Sequence, residues 1–112
     1  MSVFPSLELK QLWKRGCNFL GTEYAILGGA MTWVSNHKLV AAISNAGGFG
    51  VIASGAMTPE LLSAEIERTQ SETSKPFGVN LITMHPKLDE MIDVCGKYKI
   101  RHVVLAGGLP TS

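Results

Sequence analysis

A chain of 112 residues with 46% apolar side chains is the size of one domain and carries ample material for a packed core, which excludes a disordered tail. Ten Lys and Arg nearly balance nine Asp and Glu, so electrostatics favours neither a nucleic acid nor a membrane surface, and a small molecule is the default ligand. No run approaches the roughly 18 apolar residues of a membrane span, Met1 to Lys14 lacks the apolar centre of a secretory signal, and Cys17 and Cys95 lack metal-site spacing, which reads as two free thiols in a reducing, cytoplasmic setting.

Leu7 to Phe19 carries Leu9, Leu12, Trp13 and Phe19 on an expected helix, either a plug for one end of a barrel or a simple packing helix. Residues 1–20 are taken as this helical segment. Past Gly21, short apolar runs of β type alternate with amphipathic helical stretches. The first run is Tyr24 to Leu27, followed by glycine and polar residues. Leu39, Ala42, Ile43 and Ala46 then hold the spacing of one helix face, and Gly47 ends that helix. The second run is Phe49 to Ala53. Thr58 and Pro59 read as an N-cap with proline at the first helical position, Glu60 complements the helix dipole, and Leu61, Leu62, Ile66 and Thr69 form the apolar side.

The third run, Phe77 to Ile82, is continuous, as suits a strand covered on both faces. Pro86 restarts a helix with Leu88, Met91, Ile92 and Cys95 on one face, Cys95 in the core, and His102 to Ala106 is the fourth run. Strands alternating with crossover helices imply a parallel sheet. A doubly wound nucleotide fold would want its glycine-rich loop between a strand and the next helix, whereas Gly47, Gly48 and Gly50 lie between a helix and a strand. The expected class is therefore α/β, the first half (β1 to β4) of a TIM-type (β/α)8 barrel with an N-terminal helix, since a whole barrel needs about 250 residues. On this reading the chain stops in mid-fold.

In such a barrel the chemistry sits on the loops that follow the strands. Small residues recur there: Gly28, Gly29, Ala30, Met31, Thr32 and Trp33 after the first strand, Ser54, Gly55 and Ala56 after the second, and Gly107 and Gly108 after the fourth. Two explanations fit, a flat cofactor approached by backbone, or glycines that merely shape the loops. Asn80 is an amide inside an apolar strand. It needs a partner, either the edge of a flavin or nucleotide ring or a nearby backbone group.

The run Ile26-Leu27-Gly28-Gly29-Ala30-Met31-Thr32-Trp33-Val34-Ser35 resembles the first-strand signature of the nitronate monooxygenase family, formerly called 2-nitropropane dioxygenases. Leu39 to Gly50, Val51 to Gly55, and Lys75-Pro76-Phe77-Gly78-Val79-Asn80-Leu81 resemble successive later segments, so the similarity runs from about residue 21 to 110. The family is similar in turn to FMN-dependent enoyl-ACP reductases, and the early half does not separate the two. Ala25 and Gly28 depart from the proline and glutamine that many members carry.

The resemblance implies that residues 21–112 are the N-terminal half of an FMN-binding barrel. It implies that Gly29, Ala30 and Met31 lie beside the isoalloxazine, that Asn80 hydrogen-bonds the flavin, and that Gly107 and Gly108 line the substrate side. Phosphate-binding loops and the catalytic histidine belong to later segments of the family. No catalytic residue is therefore assigned here, and His37, His85 and His102 are read as structural or solvated. No metal site and no paired carboxylates are visible. The implied activity of the complete protein is oxidation of alkyl nitronates with O2, with an enoyl-ACP reductase as the alternative. A further alternative is an inactive truncated product that self-associates, as a homo-oligomer, through exposed barrel edges.

Overall fold

The computed structural model describes residues 7–109; the first six residues of the N-terminal segment and the last three of the barrel half lie outside it. Two short helices, α1 (Leu7–Leu12) and α2 (Lys14–Leu20), lead into β1 (Leu27–Gly28), α3 (His37–Asn45), β2 (Phe49–Ala53), α4 (Pro59–Glu72), β3 (Phe77–Ile82), α5 (Leu88–Lys97) and β4 (Val103–Ala106). The four strands form one parallel sheet in the order β1-β2-β3-β4. Each strand lies beside its sequence neighbour because a helix returns the chain between them, the βα repeat of a TIM-type barrel.

The boundaries follow local chemistry. Asn36 caps α3 by accepting from the backbone of Lys38 and Leu39, and Gly47, at φ 102°, turns the chain toward β2 in a conformation that side chains rarely adopt. Thr58 caps α4 by accepting from Leu61 N at 3.2 Å, with Pro59 at the first helical position. Helix α5 starts at Leu88 rather than at Pro86. The His85 ring accepts from Lys87 N at 3.0 Å and the His85 carbonyl from Leu88 N, so the turn before the helix is held by a side chain.

Three expectations are corrected. The first strand is shorter and later than Tyr24 to Leu27. Tyr24 packs its ring on Trp13 at 5.8 Å and bonds through its amide to Gly47 O, so regular pairing with β2 begins only at Leu27. The N-terminal helix is two pieces that meet at Trp13. The buried face of α3 is Val40, Ala41 and Ser44, while Ala42 and Ala46 are exposed. Ser44 can sit in the core because its hydroxyl donates to Pro76 O at 2.9 Å and accepts from Gly50 N at 3.1 Å, which removes the cost of burying it.

The main core lies between the sheet and its outer helices. Ile52, Phe77, Val79 and Leu81 of the sheet meet Val40 of α3, Leu62 and Ile66 of α4, and Met91 and Cys95 of α5. A second, smaller cluster of Leu20, Phe49 and Val51 lies on the opposite, inner face at the strands' N-terminal ends. There α2 covers the sheet, with the His102 ring edge-on to Phe19 at 4.6 Å and to Phe49 at 5.4 Å. The helix therefore stands where a plug for the barrel's N-terminal mouth would stand.

Candidate functional site

Alternation along the strands decides what the inner face presents. The register pairs Leu27 with Phe49, Val51 with Gly78, Ala53 with Asn80, Asn80 with Val104 and Ile82 with Ala106. Since Phe49 and Val51 belong to the inner cluster, Asn80, Ile82, Val104 and Ala106 share that face. Above the inner cluster the face is open, with Val104 exposed beside Asn80, and Leu27 is exposed at the level of Phe49. The face is apolar except for Asn80.

Asn80 donates through Nδ2 to Val104 O at 3.4 Å, a long bond on the neighbouring strand. The backbone partner expected as one option thus exists, yet it engages a single donor of an amide that has two donors and an acceptor. Below it, buried Ser54 donates its hydroxyl to the Asn80 carbonyl, fixing the backbone from which the amide projects.

The exit of β1 is held by one side chain. Ser35, itself buried, accepts from Met31 N at 2.8 Å and donates to Gly29 O at 3.2 Å. Its own carbonyl accepts from Ala53 N at 3.3 Å. The Gly29–Met31 segment is thereby pinned to the end of β2. Ala30 packs on the inner cluster, and Met31 is exposed.

The glycines divide into two kinds. A Cβ on Gly28 would meet Ile43 at 2.3 Å, one on Gly55 would meet Ile82 at 2.8 Å, one on Gly107, at φ 89°, would meet Ile82 at 3.1 Å, and one on Gly108 would meet Thr83 at 3.1 Å. All four lie against a neighbouring side chain and Gly107 also holds a positive φ, so loop shaping gives each of them a reason. Gly29 is different. A Cβ there would meet nothing within 4 Å, and two residues beyond Leu27 it shares the open inner face. Among the described glycines at strand exits it alone has open space beside it, as expected where a flat ligand lies close. A cofactor ring therefore fits the pair of Gly29 and Asn80 on either side of β2 better than it fits Gly107 and Gly108, whose small size serves the Ile82–Thr83 turn.

Two features escaped the sequence. Ser35 reads there as one more polar loop residue, because its partners are Gly29 and Met31 of a turn that only folding closes. Trp33 has φ 67°, a left-handed conformation that is an outlier for a bulky side chain and costs about 1–3 kcal/mol. The residue is 80% exposed. Nothing in residue type signals this, since tryptophan is not a residue that favours the left-handed region.

The three histidines are tied into local contacts. His37 pairs with Glu72 at 2.7 Å between α3 and α4, His85 bonds Met57 O at 2.8 Å and Lys87 N, and His102 stacks between Phe19 and Phe49. With Lys87 N donating to its Nδ1, neutral His85 carries its proton on Nε2 and donates it to the Met57 carbonyl, which fastens the exit of β3 to that of β2. Cys95 lies in the main core, and burial pushes its thiol up to about 11. Among the described residues, no group of His, Cys, Asp and Glu could hold a metal ion, and no helix is long and apolar enough to cross a membrane.

The family model of nitronate monooxygenase matches residues 14–105. A carboxyl-CoA dehydrogenase of Mycobacterium tuberculosis, acting on a 5-hydroxy-7a-methyl-1-oxo-octahydroindene carboxyl-CoA, is 44% identical over 62 residues, 55% of this chain and 18% of that protein. A probable nitronate monooxygenase of Staphylococcus haemolyticus is also 44% identical over 62 residues, 17% of its length. Among solved structures, FabK from Thermotoga maritima superposes with a TM-score of 0.84 at 42% identity, over 87% of this chain and 31% of that one. A nitroalkane oxidase from Streptomyces ansochromogenes superposes at 0.73 with 24% identity, over 80% of this chain and 35% of that one, and shows the fold alone. The chain spans about a fifth of the length of these curated relatives and about a third of the solved chains. Its four strands are the first half of a TIM-type barrel.

Proposed function

This chain belongs to the nitronate monooxygenase family, and from that premise we propose that its inner face is part of the FMN site of an oxidoreductase that oxidises alkyl nitronates with O2. The observation that carries the reading is the pairing of an open Gly29 with the Asn80 amide on one otherwise apolar face. When bound, FMN supplies the two-electron chemistry.

The chain's own residues would bind and orient. Asn80 offers its remaining N–H and its carbonyl oxygen to a ring edge that alternates donors and acceptors. Gly29 leaves room for the ring plane, and Ser35 keeps Gly29, Ala30 and Met31 in place through its two hydrogen bonds. Met31, exposed at the exit of β1, would shield the ring from water. Since among the described residues no His, Asp or Glu stands on the inner face above the inner cluster, the proton acceptor is assigned to the part of the barrel that this chain does not cover.

The test is a titration with FMN followed by the flavin absorption spectrum. Saturable binding that falls at least tenfold in Asn80→Ala, the weight of about one hydrogen bond to a buried partner, is the expected result. Equal affinity in the two proteins would remove Asn80 from the site. A second reading, an FMN-dependent enoyl-ACP reductase, uses the same inner face and is supported by the higher identity to FabK than to the nitroalkane oxidase. Enoyl-thioester-dependent consumption of a nicotinamide cofactor, against nitronate-dependent uptake of oxygen, separates the two in the complete protein.

A further inference from the structure

Between the exit of β1 and the first turns of α4 lies a cavity of about 290 Å3 that the flavin contacts above do not use. Its walls are mainly apolar, with Trp33, Ala53, Ala56, Met57, Leu61 and Ala64 beside the polar Thr32, Ser35 and Asn36. Two charged residues reach it, and they are occupied with the protein itself. Glu65 accepts from His37 N at 2.9 Å through one oxygen and from Arg68 at 3.4 Å through the other, and the Arg68 side chain is mostly in solvent. No unpaired charge therefore asks for an ionic ligand.

The cavity is joined to the proposed flavin site by shared residues. Ser35 lines it and is also the residue that holds Gly29 and Met31. Ala53 lines it and stands opposite Asn80 in the strand register. A molecule whose reacting end lies over the inner face can thus extend into it past the end of β2. The outer wall is the strained, exposed Trp33. A bulky residue kept in a left-handed conformation, with its indole gaining no burial within the chain, is the pattern expected where strain serves a ligand.

We propose that this cavity receives the apolar tail of the substrate, with Trp33 as its outer wall and Ala56 and Ala64 setting its depth. The proposal rests on the flavin reading for the position of the reacting end. Since a dry cavity of about 150 Å3 holds one benzene molecule, the space found here suits an alkylated aryl ring or an alkyl chain of similar bulk, uncharged at its far end.

The experiment uses benzene, toluene, ethylbenzene and n-butylbenzene as probes of the full chain carrying Trp13→Phe, so that Trp33 is the reporting fluorophore. Saturable, blue-shifted emission is expected, with affinity rising about fourfold per added methylene up to the size of the cavity. Ala64→Phe and the milder, surface-exposed Ala56→Phe should each weaken n-butylbenzene at least tenfold while the far-ultraviolet circular dichroism stays unchanged. Trp33→Gly, which removes the strain, should raise the unfolding midpoint by roughly 4 to 8 °C, followed by circular dichroism because no tryptophan remains to report the probe; a Trp33 that merely packs would lower the midpoint.

FMN is titrated into the same proteins. Non-saturating emission, or unchanged probe affinity in both folded phenylalanine variants, overturns the proposal and leaves the flavin reading intact when FMN binds. Probe binding in a chain that does not bind FMN overturns the substrate-tail assignment through the reading on which it rests.

Discussion

The two faces of one four-stranded sheet are built to opposite ends. On the outer face, Ile52, Val79 and Leu81 are closed over by Val40, Leu62, Ile66, Met91 and Cys95, each essentially without contact with solvent. On the inner face, two residues of the same strand type, Leu27 and Val104, are 51% and 40% exposed. The polar group on this face, Asn80, keeps hydrogen-bonding capacity to spare. In the upper half of β3, alternation thereby sets the covered Val79 and Leu81 against the Asn80 amide. Ile52, Val79 and Leu81 hold the helices, and Asn80 and Ile82, which alternate with them along β3, point to the other face.

Mutations on the two faces should therefore differ sharply. Ile66→Ala, in the middle of the outer core, is expected to lower the unfolding free energy by about 2–5 kcal/mol in urea denaturation; a loss below 1 kcal/mol would mean that the outer layer does not hold the fold.

Next in size is a pH effect at Cys95. Its folded thiol lies at about 11 against an ordinary value of 9.0, because burial disfavours the thiolate. The folded state therefore binds this proton more tightly than the unfolded one. Its contribution is fully present below pH 9 and is lost as pH rises through about 11. Denaturation curves recorded between pH 8 and 11 should show falling stability that Cys95→Ala reduces, and alkylation of Cys95 should follow unfolding rather than precede it. Fast alkylation at pH 8 under native conditions would contradict its place in the outer core.

A smaller loss, about 1 kcal/mol, is expected for Thr58→Ala, which removes the cap of α4 at the rim between the faces. The smallest belongs to the inner face. Val104→Thr, similar in shape and at a position already 40% exposed, should change the unfolding free energy by less than about 0.5 kcal/mol. A large loss there would show that the inner face is packed in solution, as it would be if two chains paired through it or through the edges offered by β1 and β4.

The sequence by itself determined the order of elements, the parallel sheet and the positions of turns and caps. Each of these depends on residues close along the chain. Phe77–Ile82 reads as a buried strand, Thr58-Pro59 as a helix start and Gly47 as a helix end without reference to anything distant. The first-strand motif and Asn80 were legible for the same reason, as a glycine run after an apolar segment and an amide within one.

What only the tertiary structure decided depends on groups far apart in sequence. Helix α3 turned a different face to the core because Ser44 found Pro76 O and Gly50 N, partners that periodicity cannot see. The glycines at 55, 107 and 108 proved to lie close against Ile82 and Thr83, and Gly29 proved to have open space beside it. The strain at Trp33 and the clamp made by Ser35 arise from the closing of one loop against the end of β2. Local propensity sets where a strand or helix begins, whereas the face it buries and the space it leaves open are fixed by contacts that exist only once the layers have packed.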